Sequence, residues 1–85
     1  MEDRETRLKR LAMRSMRRGT KEMDILLIRY SEARLPDMTG QELDAYEALL
    51  AENDQDLYQW ISGQAPAPDT HAPLVADIAR IAANG

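Results

Sequence analysis

The sequence predicts an all-α fold, a compact five-helix bundle forming a single domain over residues 1–85, and three observations carry that expectation. Apolar residues recur at helical spacing along most of the chain. Helix-starting residues stand just before several of those runs. No run shows the strict alternation of a half-buried strand, and neither an internal repeat nor a Gly-Ser linker divides the chain.

Taken in order, Leu8, Leu11, Ala12, Ser15 and Met16 lie at helical spacing, with Arg7, Lys9, Arg10, Arg14 and Arg17 on other faces. The first element is therefore an amphipathic helix, expected to halt at Gly19, where the missing side chain frees the backbone. Thr20 is placed to cap the second helix, because its hydroxyl can accept a hydrogen bond from an N–H that the first turn leaves unpaired. Glu22 and Asp24 fall in that turn, where negative charge suits the helix dipole. Met23, Leu26, Leu27 and Tyr30 follow at i, i+3, i+4 and i+7, and apolar residues on so many sides place this helix centrally in the core.

Pro36 disfavours a helical Leu35 and ends the second helix near Arg34. Thr39-Gly40-Gln41-Glu42 reads as a capping box for a third helix that buries Leu43, Tyr46, Leu49 and Leu50. Asp54 or Asp56 can cap a short fourth helix with Leu57, Trp60 and Ile61 inward, and Gly63 ends it. Pro66 and Pro68 make residues 64–72 a semi-rigid connector. Pro73 then suits the first position of a fifth helix built on Leu74, Val75, Ile78, Ala79 and Ile81, frayed at Asn84 and Gly85. Trp60, Tyr58 and Tyr46 are expected in the core or at its edge.

Length and composition narrow the function. A chain of 85 residues buries only about 60 to 65% of its unfolded surface, which leaves little room for a deep active site. Without cysteine there is no disulfide framework, thiolate metal site or thiol nucleophile. The longest apolar run, residues 25–28, is far short of the roughly 20 residues that cross a bilayer, so solubility without membrane insertion is expected. The early arginines resemble a transit peptide, but Glu2, Asp3 and Glu5 oppose it, and the N-terminus reads as mature sequence.

The net charge of −4 hides an asymmetry: residues 1–34 carry +4 and residues 35–85 carry −8. A basic front on an acidic body favours oriented docking to an acidic protein surface over general affinity for polyanions. Catalytic equipment is sparse. His71, the one histidine, lies beside prolines and reads as a solvated loop residue, the acids are dispersed, and no glycine-rich loop follows a strand to hold a dinucleotide.

One stretch stands apart. Arg18-Gly19-x-x-Glu22, followed by Met23-Asp24-Ile25-Leu26-Leu27, then by Met38-Thr39, Glu42, Tyr46, Leu49-Leu50 and Asp56-Leu57-Tyr58-x-Trp60, resembles the succinate dehydrogenase assembly factor family over roughly residues 8–81. The resemblance implies a non-enzymatic protein that binds the flavoprotein subunit of succinate dehydrogenase, or of a fumarate reductase, and promotes covalent attachment of FAD. It further implies that Arg18, Gly19 and Glu22 contact the partner, with Arg14, Arg17 and Asp24 as neighbours. On that reading Arg18 offers its fork to a carboxylate or carbonyls, Gly19 lets two backbones approach, and Glu22 accepts donors. The chain itself is expected to hold no cofactor or metal stably, to be monomeric when free, and to work in a bacterial cytoplasm or, if eukaryotic, the mitochondrial matrix. The alternative from another class is a small regulatory module binding nucleic-acid phosphates through Arg10, Arg14, Arg17 and Arg18.

Overall fold

Wherever an α-helix starts in the first two thirds of the computed structural model, which describes residues 2–16 and 18–84, a polar side chain takes up an N–H of the first turn. Asp3 accepts from the Thr6 amide at 2.7 Å before α1 (Arg4–Arg14), and Thr20 accepts from the Met23 amide at 3.2 Å before α2 (Lys21–Arg34). Both halves of the capping box form before α3 (Gly40–Leu50): the Glu42 amide donates to the Thr39 hydroxyl and the Thr39 amide to the Glu42 carboxylate. At α4 (Asp54–Ser62) the cap is Asn53, whose oxygen accepts from the Gln55 amide at 2.8 Å. Neither Asp54 nor Asp56, the caps expected from sequence, has that task. Such caps are each worth about 1 kcal/mol, and they fix where each helix enters the bundle.

The stops also have local causes. α2 ends at Arg34 as expected, but Leu35 does not leave the helical region before Pro36: it keeps φ −55° and ψ −45°, and the chain tightens into a short 3-10 helix, Leu35–Asp37. Gly63 adopts φ +83°, the left-handed conformation that glycine reaches without steric cost, and closes α4. Gly19 plays no such part. α1 stops earlier than expected, at Arg14, with Ser15 as its C-cap. The Ser15 hydroxyl donates to the Leu11 carbonyl at 2.8 Å and lies 2.6 Å from the Tyr46 hydroxyl, all within the core. A final helix α5 (Ala72–Asn84) returns across the bundle, two residues into which Pro73 is found.

Five α-helices and no strand occur among the described residues, an all-α bundle with a radius of gyration of 12.0 Å, close to the roughly 12 Å expected of one domain this long. α2 is central as its pattern requires: it packs on α5, α1 and α4, burying Met23, Leu27 and Tyr30. Its outer side is less apolar in use than in composition, because Ile25 remains 47% exposed. Leu43, Tyr46, Leu49 and Leu50 of α3, Leu57 and Ile61 of α4, and Val75 and Ile78 of α5 complete the core, each burial contributing roughly 1.5 to 3 kcal/mol before entropy is counted. Trp60 packs at the core edge, while Tyr58 is 38% exposed.

One further expectation is corrected. His71 is buried, its ring 5.9 Å from the Trp60 ring and its Nε2 3.6 Å from a Glu52 carboxylate oxygen, because the start of α5 folds back over α4. The basic side of α1 does not face open solvent throughout. Arg7 pairs with Asp44 at 2.6 Å and Glu47 at 3.1 Å, and Arg10 with Glu47 at 3.0 Å and Glu2 at 2.8 Å. The two halves of opposite charge have folded onto each other. No helix among the described residues is long and apolar enough to cross a membrane.

Candidate functional site: the joint between α1 and α2

The candidate residues gather where the end of α1, the first turn of α2 and the first turn of α4 converge. Arg18 is the hub. Its Nε donates to Asp54 Oδ1 at 2.8 Å, and its Nη groups donate to the carbonyls of Arg14 at 3.2 Å and Glu52 at 3.4 Å. The side chain is only 12% exposed, and that of Asp54 19%. The guanidinium fork, expected to reach for a partner, is thus occupied within the chain. Nor does Arg18 pair with Glu22: its ion-pair partner lies 36 residues away.

The next residue meets the same carboxylate. The Gly19 amide donates to Asp54 Oδ2 at 2.5 Å, and a Cβ built on Gly19 would lie 3.0 Å from that oxygen. At that separation the Asp54 carboxylate would have to give by a few tenths of an ångström, so the close approach at Gly19 is, within the chain, an approach to Asp54. The Arg18 amide donates to the Asp24 carboxylate, half-buried in the first turn of α2. Both ends of the joint are therefore tied, one to α4 and the other to α2.

Glu22 differs from its neighbours. It is exposed on the first turn of α2, and no hydrogen bond or ion pair engages its side chain among the described residues. It lines a groove of about 360 Å³ with Thr20, Asp54, Gln55, Tyr58, Gln59 and Gln64. Ile25, one turn on from Glu22, and Tyr58 add exposed apolar area to this side. Arg14 is half-buried and contributes its carbonyl to Arg18; Arg17 lies outside the described residues.

Below the joint, burial pushes the Tyr46 phenol up to about 12, although the Ser15 hydrogen bond and the nearby Arg18 charge pull the other way. The arrangement holds a loop and presents a carboxylate beside apolar side chains. It places no base against a hydroxyl nucleophile, and no group of three His, Cys, Asp or Glu able to hold a metal occurs among the described residues. A second concavity of about 490 Å³, at the far end of α2, is lined by Tyr30, Arg34, Met38 and Asp77 among others. Of the carboxylates that line it, Asp37, Glu42 and Asp77, the last already accepts from Tyr30, Arg34 and Arg80, and so ties α5 to α2.

Asp54 is the site residue that reading the sequence missed. Asn53 and Asp54 are both capable caps, and the signal that could have separated them is that only one is needed: the other is left free to reach across.

Residues 9–82 match the protein family described as flavinator of succinate dehydrogenase. Similar curated proteins include the mitochondrial succinate dehydrogenase assembly factor 2 of Yarrowia lipolytica, 38% identical over 88 aligned positions that take in 98% of this chain and 61% of that protein. The protein of the same name from Meyerozyma guilliermondii is 39% identical over 71 positions, covering 80% of this chain and 53% of its own. That from Lodderomyces elongisporus is 47% identical over 51 positions, with coverages of 60% and 31%. The chain spans about half the length of the first two relatives.

Proposed function

The chain belongs to the family of succinate dehydrogenase flavinators, and from that premise we propose that it binds the flavoprotein subunit of succinate dehydrogenase, or of a fumarate reductase, and promotes covalent attachment of FAD. The observation that carries this reading is the tied joint: Arg18, Gly19 and Asp24 are held internally, so that Glu22, Ile25 and Tyr58 stand out on one side. A contact surface fixed before binding loses less conformational entropy on docking.

Glu22 is the contact of first rank, accepting hydrogen bonds from donors on the flavoprotein, with Ile25 and Tyr58 supplying apolar area beside it. The reacting histidine and the isoalloxazine belong to the partner and its cofactor. This chain acts without catalytic groups of its own, by binding best the partner conformation in which those two are aligned and so raising its population. The relatives are mitochondrial by name, which supports the matrix placement for a eukaryotic source; the cytoplasmic placement has no such support. The nucleic-acid alternative loses ground because Arg10 and Arg18 are both engaged inside the chain.

The test mixes purified flavoprotein subunit, FAD and this protein, and reads protein-bound flavin fluorescence in a denaturing gel. Covalent flavin should rise with the unmodified protein and fall with Glu22→Ala. No stimulation by the unmodified protein would overturn the reading.

A further inference from the structure

With Glu22 taken, as proposed above, as a contact to the flavoprotein, we infer that Asp54 is a positioning residue for that surface: one carboxylate from α4 sets the conformation of the joint and is the reason position 19 is glycine. Its two oxygens have different tasks. Oδ1 accepts from the Arg18 side chain at 2.8 Å and Oδ2 from the Gly19 amide at 2.5 Å, so a side chain and the adjoining backbone are fixed together. Asp54 has no competing duty in its own helix, because Asn53 supplies the α4 cap. A carboxylate with a side chain only 19% exposed needs donors for its oxygens, and Arg18 and Gly19 supply them.

The glycine follows from the carboxylate. Gly19 is not in the left-handed region, and among the described residues beyond its chain neighbours a Cβ at position 19 would meet within 4 Å only Asp54 Oδ2 and the carbon behind it. Oδ2 sits so close because it accepts the Gly19 amide. A side chain at position 19 and the Asp54 clamp therefore compete for one space. Releasing the clamp frees the joint on its α4 side, and with it Thr20, which follows Gly19 and lines the groove beside Glu22 and Tyr58.

This gives a non-additive cycle. Titration calorimetry against the purified flavoprotein subunit would compare the unmodified protein with Gly19→Ala, Asp54→Ala and the double variant, while amide hydrogen exchange of Gly19 is followed in the free unmodified and Asp54→Ala proteins. Each single variant should weaken binding about tenfold. The double variant should bind no more weakly than Asp54→Ala alone, because without the carboxylate the new methyl group meets nothing. Exchange at Gly19 should speed up at least tenfold in Asp54→Ala, with helical circular dichroism kept. Equal cost of Gly19→Ala in both backgrounds would overturn the inference, since it would mean that the partner itself needs the bare backbone. Should the unmodified protein fail to bind, the proposed function falls, and Gly19 exchange decides the clamp: protection lost in Asp54→Ala supports it, and protection unchanged refutes it.

Discussion

Arg18→Ala and Glu22→Ala should separate stability from binding within one five-residue motif. The Arg18–Asp54 pair has side chains 12% and 19% exposed, closer to a buried pair than to a surface one. Removing one partner of a buried pair costs about 3 to 5 kcal/mol, an exposed pair is worth about 0 to 1, and a value of about 2 to 3 kcal/mol follows for this degree of exposure. The carbonyls of Arg14 and Glu52 lose a donor in the same change. For a domain of this size each kcal/mol moves the melting temperature by roughly 4 to 8 °C, so Arg18→Ala should melt about 10 to 20 °C lower. Arg18→Lys should fall between, because a compact ammonium cannot meet three acceptors in one plane. Glu22 is exposed and its removal costs no more than the helix-dipole contribution, about 0.3 to 1 kcal/mol, yet it should weaken the flavoprotein complex most. Calorimetric melting of each variant, paired with binding measurements at a temperature where all are folded, checks both halves. An Arg18→Ala protein that melts like the unmodified one but does not bind would refute the internal role of Arg18 and return it to the contact surface.

Two further outcomes follow from the core and from a turn. Burial holds the Tyr46 proton to about 12 against about 10 in an unfolded chain, so the folded state keeps a proton that the unfolded state has released; stability is fully present below pH 10 and should be lost between about pH 10 and 12, as urea melts across that range would show. Gly63→Ala should destabilise by about 1 kcal/mol through backbone strain at φ +83° alone, since a Cβ there meets nothing within 4 Å; Gly63→Asn should cost less in the same urea melts, because asparagine tolerates the left-handed region better.

Local chemistry was legible in the chain and distant chemistry was not. Thr20, Thr39 with Glu42, Pro36 and Gly63 act on backbone groups a few residues away, so their effects can be read from adjacent letters, and the apolar spacing of Met23, Leu27 and Tyr30 reports a face without reference to what covers it. The partner of Arg18 is 36 residues distant and those of Arg7 are 37 and 40 residues distant, separations that periodicity does not encode. His71 was misjudged for the same reason: a histidine among prolines reads as exposed until α5 folds back and sets it against Trp60. At the candidate site the motif letters were visible, but which of them face outward depended on Asp54.

The tie between the joint and α4 also means that the motif belongs to the folded chain more than to its five letters. A fragment stopping short of Asn53 would contain Arg18, Gly19 and Glu22 and still lack the carboxylate that arranges them. By reciprocity, whatever docks on the first turn of α2 and favours the tied joint must equally resist the opening of α4 at its N-terminus. Occupancy of the surface should therefore be felt as slower local opening around Asp54 and Gln55, in a part of the chain that the motif does not include.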